Sequence, residues 1–270
     1  MNREKVISRE YKLVLKAEKF LGQEKDLLSK AQNFWKDCIT TIDPSGTHTA
    51  GTFDKINGQW EIRFYDTSDL SLYHTNYIFR ERRDLLSDER EVTLKFRHPD
   101  RYFSQDRDML SRKIGSGELK FEEDIKAPFL QLYSFSSTQP VKNGLGFTKL
   151  KPVLKLYPGL KPQLNALGDN ESLSVVNNLS VREMVITGSA LILSEDPSVH
   201  AECALIVWYD ANEPGKDPII VEFSFRYRNK KEKYDRETTE LAYSLFLSIQ
   251  QGMKSWIDDK NPTKTGFVYA

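Results

Sequence analysis

Apolar and polar residues alternate with a period of two along most of this chain, the pattern of strands with one buried face. Tyr11, Leu13 and Leu15 share one side of the first such stretch, while Glu10, Lys12 and Lys16 share the other with Val14. The split returns three times. Val92, Leu94 and Phe96 oppose Glu91, Thr93, Lys95 and Arg97, and Leu119, Phe121 and Ile125 oppose Glu118, Lys120, Glu122 and Asp124. Near the end, Ile219, Val221, Phe223, Phe225 and Tyr227 oppose Ile220, Glu222, Ser224, Arg226 and Arg228. Residues 184–193 and 203–209 are apolar on both faces and read as better-covered strands. Trp60–Tyr65 and Val153–Tyr157 add further strands, mostly antiparallel because the connections are short.

Two stretches break the period. From Gln23 to Ile42, Leu27, Leu28, Ala31, Phe34, Trp35, Cys38, Ile39 and Ile42 repeat every three to four residues, predicting an amphipathic helix that Asp43-Pro44 and Gly46 end. From Asp235 to Trp256, Leu241, Leu245, Phe246, Ile249, Met253 and Trp256 predict a second, so the C-terminal helix spans about 235–257. A shorter helix is expected near Ala127–Phe135. Residues 136–180, with Pro140, Gly144, Gly146, Pro158, Gly159, Pro162 and Gly168, read as a loop-rich middle of a single domain covering 1–270, because charged-face strands lie on both sides.

If every apolar face meets the helices, the charged faces point together, to bulk water or into a shared cavity. Ten basic groups fall on that face (Lys12, Lys16, Arg80, Arg82, Lys95, Arg97, Lys120, Lys155, Arg226 and Arg228) against six acids (Glu10, Glu91, Glu118, Glu122, Asp124 and Glu222). The densest part is Ile78-Phe79-Arg80-Glu81-Arg82-Arg83 and then Val92-Thr93-Leu94-Lys95-Phe96-Arg97, two neighbouring strands aiming Arg and Lys at one side. A preorganised row of that kind suits phosphate oxygens. Over the whole chain 39 basic residues balance 39 acidic ones, so an anion site is local and a general nucleic-acid footprint is not expected. Two cysteines and four scattered histidines give no disulfide framework, zinc site or catalytic triad. No apolar run approaches the roughly 20 residues of a membrane span, and a soluble, cytoplasmic protein is the expectation.

Tyr65-Asp66-Thr67-Ser68-Asp69-Leu70 before a strand, Arg80-x-Arg82 within the next and Leu94-Lys95 in the one after resemble the CYTH, or triphosphate tunnel metalloenzyme, superfamily. The resemblance is best over Trp60–Arg97 and extends loosely over nearly the whole chain. It implies an α+β fold: a closed antiparallel β-barrel, a tunnel of about eight strands, with helices packed outside. It also implies a metal-dependent phosphohydrolase acting on inorganic triphosphate or a triphosphate-containing small molecule, with Mg or Mn as cofactor. Arg80, Arg82 and Lys95 would be the catalytic phosphate-gripping positions, and Lys12, Lys16, Lys120, Arg182 and Arg226 would bind substrate. Glu10, Glu122, Asp124 and Glu222 would hold metal.

The chain departs from the family signature in two places. Of E-x-E-x-K, Glu10-Tyr11-Lys12-Leu13-Val14 keeps only the first Glu, with Lys16 one strand step beyond the expected Lys; the late acidic pair is Glu222-Phe223-Ser224. Both changes remove a carboxylate that a metal would use. The alternative is therefore a tunnel protein, weak or inactive in catalysis, that binds polyphosphate or a nucleotide. A plain β domain with a wet charged face is the third reading, with Asp66-Thr67-Ser68-Asp69 as no more than a capping turn. Tyr73, Tyr77 and Phe147 are the aromatic residues available for an adenine pocket. No specific nucleic acid or membrane is expected as partner, and a homodimer is left open.

Overall fold

In β1 (Ser8–Leu15) the alternation is realised directly: Tyr11, Leu13 and Leu15 are buried against the helices, and Glu10 and Lys12 point the other way, into a cavity. The computed structural model describes residues 3–22, 24–43, 45–112, 117–164, 167–260 and 263–270. Gln23 and Pro44, at the expected limits of the first helix, lie outside the described residues.

Eight further strands follow: β2 (Thr49–Asp66), β3 (Tyr77–Asp84), β4 (Arg90–His98), β5 (Glu118–Lys126), β6 (Leu130–Val141), β7 (Ser174–Glu195), β8 (Ser198–Asp210) and β9 (Ile220–Arg228). They hydrogen-bond in the closed order β1-β5-β6-β4-β3-β2-β7-β8-β9, with β9 returning to β1. Every pairing is antiparallel except β1 with β5. Closure removes the sheet edges and gives each strand an inner and an outer face. Long strands β2 and β7 pair over most of their length. Their bulge near Gly51 (φ +65°) brings that glycine so close to Gly188 that a Cβ would sit 2.1 Å from the Gly188 carbonyl oxygen.

The outer faces are covered twice. On β1, β7, β8 and β9 lie α1 (Leu27–Ile42) and α5 (Arg236–Gly252), whose stripes bury Phe34, Trp35 and Cys38, and Leu245, Phe246 and Ile249. Phe34 meets Phe223 with ring centroids 5.1 Å apart, and Tyr11 stacks on Phe225 at 4.7 Å. Asp235 caps α5 by accepting from the Thr238 N–H at 2.8 Å. After α1 the Asp43 carboxylate accepts from the N–H groups of Thr47 and His48 at 2.9 and 2.7 Å.

On β3, β4 and β6 the cover comes from the middle segment, and two expectations are corrected there. Val153–Tyr157 is not a strand but belongs to α4 (Leu150–Leu156) and the turn after it, followed by a 3-10 helix at Pro158–Leu164. Leu150, Val153, Tyr157, Leu160 and Leu164 pack on Phe79, Val92 and Leu94, and the Tyr157 hydroxyl lies 3.0 Å from the carbonyl oxygens of Val92 and Ser137. The apolar side chains of α4 recur at helical spacing, which so short a window does not separate from a strand. Conversely, most of Ala127–Phe135 is not helical: Leu130–Phe135 opens β6, paired with β5 and β4.

Short helices α2 (Ser71–His74), α3 (Arg101–Gln105) and α6 (Lys264–Val268), with 3-10 helices at Ala17–Phe20 and Glu24–Asp26, complete the described elements. Val268 is buried with Ile62, Phe64, Ile78, Trp208 and Ile220, so α6 seals apolar residues of the inner face, and Tyr269 stacks on Tyr73 at 4.2 Å. The chain's aromatic tail thus docks on its own barrel. Among the described residues no helix is long and apolar enough to cross a membrane.

Candidate functional site

The ring encloses a lumen of about 930 Å³. Strands β3, β4 and β5 contribute Arg80, Arg82, Lys95, Arg97, Lys120 and Lys126 to it, β9 contributes Arg226 and Arg228, and β1 contributes Lys12. Apart from Glu183 and Glu202, strands β7 and β8 line it with uncharged residues, and Val185, Ala204, Ile206 and Trp208 form a neutral wall. That is why residues 184–193 and 203–209 read as apolar on both faces: one face meets α1 and α5, the other meets the lumen.

Arg80 lies at the centre of the basic row. Its terminal nitrogen is 3.4 Å from the Thr93 hydroxyl, its Nε has no hydrogen-bond partner, and it makes no ion pair within 4.0 Å among the described residues. Burial first, and neighbouring Arg82 second, push its guanidinium down to about 10, with Glu183 and Glu91 opposing. Arg82 differs: it donates to Glu183 at 2.8 Å, lies 3.7 Å from Glu91 and sits over the Trp60 ring at 4.7 Å. Lys95 is pushed by burial down to about 8, Asp124 at 3.7 Å offsetting part of the effect. Lys126, buried and near Arg97, falls to about 7. Burial is the first cause of all three depressions, so each is a cation whose charge the enclosed lumen solvates poorly.

Among the described residues, every acid lining the lumen except Glu122 is already paired with a cation. Lys12 Nζ lies 2.9 Å from Glu10 and 2.7 Å from Asp124, which Arg97 also approaches at 3.4 Å and to which Ser134 donates at 2.5 Å. Burial alone would raise Asp124, but Lys12, Lys95 and Arg97 hold it well below the carboxylate range; burial would raise Glu10 as well, but Lys12 brings it below its ordinary value. Lys264 Nζ, carried in on α6, is 3.0 Å from Glu222 and 3.8 Å from Glu183. Glu183 also accepts from the Trp208 indole at 2.7 Å, and against the upward effect of burial Arg82 and Lys264 hold it at about 2. Glu122 accepts from the Ser8 hydroxyl at 2.7 Å and pairs with no cation among the described residues. A hard divalent cation needs several carboxylate oxygens free to converge on it. Three of the four expected metal acids are bonded to lysine instead, and no cluster of three or more His, Cys, Asp or Glu suited to a metal occurs among the described residues. The set does not fit a resident Mg or Mn.

Of the expected site residues, the lumen gathers Arg80, Arg82, Lys95, Lys12, Lys120, Arg226, Glu10, Glu122 and Glu222, with Asp124 buried beneath Lys12 and Lys95. Two are corrected. Lys16 follows the end of β1 and reaches the Lys254 carbonyl at 3.1 Å, outside the barrel. Arg182 points outward from β7 to Glu24 and Gln59 at 2.7 and 3.2 Å, because the inward position belongs to Glu183, one residue on. Lys155, counted with the charged face, is on α4 and outside it. Tyr77 and Phe147 lie in the outer core and Tyr73 is on the surface against Tyr269, so none of them lines the lumen. The Asp66-Thr67-Ser68-Asp69 turn is a cap: the buried Asp66 carboxylate accepts from the N–H groups of Thr67, Leu72 and Tyr73 at 2.8 to 3.0 Å. Glu183, Lys126 and Lys264 join the site unforeseen. Lys126 continues the parity of Lys120, Glu122 and Asp124; Lys264 lies in a polar tail with no such signal.

A closed ring of strands around an Arg- and Lys-lined lumen is the architecture that the resemblance to the triphosphate tunnel superfamily implies. No protein-family model matches the chain, and none of the curated proteins does. Among solved structures, the chain is similar to a Hippeastrum protein described as an adenylyl cyclase candidate that reveals a dominant triphosphatase activity, at 11% identity over 97% of this chain and 95% of that one, with a TM-score of 0.48. It is also similar to proteins described as adenylate cyclase candidates from Bacillus halodurans (13% identity, 98% of each chain, TM-score 0.43) and Vibrio parahaemolyticus (11% identity, 99% of this chain and 100% of that one, TM-score 0.36). At these values the similarities add nothing to what the ring and its lumen show directly.

Proposed function

We propose that the lumen binds a triphosphate, either inorganic or carried by a small molecule. The observation that carries this reading is Arg80: a guanidinium inside the barrel, without an acid partner among the described residues, in a row with Arg82, Lys95 and Arg97. Arg presents a planar fork suited to phosphate oxygens, and three or four converging cations match a linear polyanion better than a single phosphate. The neutral wall of Val185, Ile206 and Trp208 leaves room beside the cations for an organic group on the terminal phosphate. Lys12, where a second Glu would complete the family signature, favours binding over turnover, since it adds positive charge and bonds two of the acids.

Hydrolysis of the triphosphate is the second reading, and Glu122 favours it, because this acid faces the lumen and makes no ion pair within 4.0 Å among the described residues. The positive row would stabilise developing charge on the phosphoryl oxygens, and no covalent nucleophile is required. Thermal unfolding of the EDTA-treated protein with tripolyphosphate, ATP and thiamine triphosphate, each with and without Mg or Mn and with phosphate release monitored, tests both. A rise in melting temperature without release supports the binder, and a rise with release the hydrolase. No rise with any of the three removes the proposal.

A further inference from the structure

The acid side of the lumen carries two ammonium groups of the chain's own, and they arrive from different elements. Lys12 belongs to β1 and bonds Glu10 and Asp124 at 2.9 and 2.7 Å. Lys264 belongs to α6 and bonds Glu222 at 3.0 Å with Glu183 at 3.8 Å. Both side chains are enclosed, at 13% and 17% exposure.

The placement of Lys264 is enforced from several sides. Val268 is buried in the inner apolar cluster, its carbonyl accepts from Asn177 at 2.9 Å, and the Thr265 hydroxyl accepts from Arg97 at 3.0 Å. Lys264 also lies 5.5 Å over the Trp208 ring, whose indole donates to Glu183. Fixing a terminal segment by this many contacts to bring one lysine against two buried acids costs conformational entropy, and the charge balance it provides offsets that cost.

We propose that Lys12 and Lys264 hold the cation positions of this carboxylate wall, so that the tunnel takes up its polyanion without a resident divalent metal and the C-terminal segment is part of the binding site. An ammonium already bonded to the carboxylate oxygens repels a divalent ion and occupies the oxygens that ion needs. The polyanion half of this inference rests on the function proposed above; the metal half does not.

The test is manganese binding to the EDTA-stripped full chain without any phosphate, read from the electron paramagnetic resonance of free Mn, for wild type, Lys264→Gln and Lys12→Gln. Wild type is expected to bind no Mn below millimolar concentration, and Lys264→Gln to bind it at least about tenfold more tightly as the like charge is removed. Lys264 sits on a terminal turn, so its variant decides the matter should Lys12→Gln fail to fold. Comparable Mn affinity in wild type and Lys264→Gln, or the absence of binding in both, overturns the inference. A second titration, of tripolyphosphate into wild type with EDTA, is expected to give the same affinity as with Mn, and a requirement for Mn overturns the inference as well. If tripolyphosphate binds under neither condition, the proposed function fails while the manganese comparison still stands by itself.

Discussion

Replacing Arg80 with Met should stabilise the protein while abolishing the proposed polyanion binding. Arg80 is held at about 10 instead of 12.5 by burial and by Arg82, so its charged form is disfavoured in the fold. A depression from 12.5 to about 10 corresponds to roughly 3 to 4 kcal/mol. Water in the lumen screens part of this, and a reasonable net figure is about 1 to 2 kcal/mol. Met keeps the apolar stem and leaves no charged partner exposed, because Arg80 has no ion pair among the described residues. For a chain of this length the melting temperature should rise by about 2 to 6 °C. Chemical denaturation of Arg80→Met and wild type in EDTA measures the difference, and the added stabilisation by tripolyphosphate should disappear in the variant. Loss of 1 kcal/mol or more in the empty protein would refute the reasoning, since it would make Arg80 a structural ion-pair member.

Arg82→Met should behave in the opposite way, losing about 2 to 4 kcal/mol in the same denaturation assay, because it strips the partner from buried Glu183 at 2.8 Å and uncovers Trp60. Acid should weaken the fold through Glu183: its value is about 2 in the fold against 4.5 ordinarily, so its stabilisation is present above about pH 4.5 and is lost as pH falls towards 2, which denaturation midpoints at stepped pH will follow. Polyanion binding should weaken as pH rises, because Lys126 and Lys95 lose their protons near 7 and 8 in the empty lumen. Calorimetry in buffers of different ionisation enthalpy at pH 8 should show Lys126→Met taking up about 0.9 fewer protons than wild type on binding tripolyphosphate, a comparison that cancels the ligand's own titration. The empty protein should gain stability between about pH 8 and 10.5, where unfolded Lys95 holds a proton that the folded one has released.

What could be read from the sequence was set by local periodicity. The strict alternation of β1, β4, β5 and β9 marks their inner faces residue by residue, and seven of the twelve expected site residues line the lumen for that reason, with Arg80 and Arg82 added from β3. Arg182 fails by a single position: β7 begins at Ser174, well before the apolar run, and its parity turns Glu183 inward. Lys16 fails because β1 ends at Leu15. In the middle segment, α4 is seven residues long and buries one stripe, too short a window for helix and strand periods to separate. β6 offers hydroxyls, Ser134, Ser136 and Thr138, to the inner face, so its alternation carries no charge contrast. Lys264 meets Glu222 across 42 positions of sequence, a pairing that only ring closure and the docking of Val268 determine.

The central claim is that this lumen is built to hold a linear polyanion. Isothermal titration of tripolyphosphate into the EDTA-treated protein tests it most directly. One saturable site per chain is expected, weakened by added salt and lost in Arg80→Met. Absence of saturable binding in wild type at low salt, or equal binding by Arg80→Met, would contradict it.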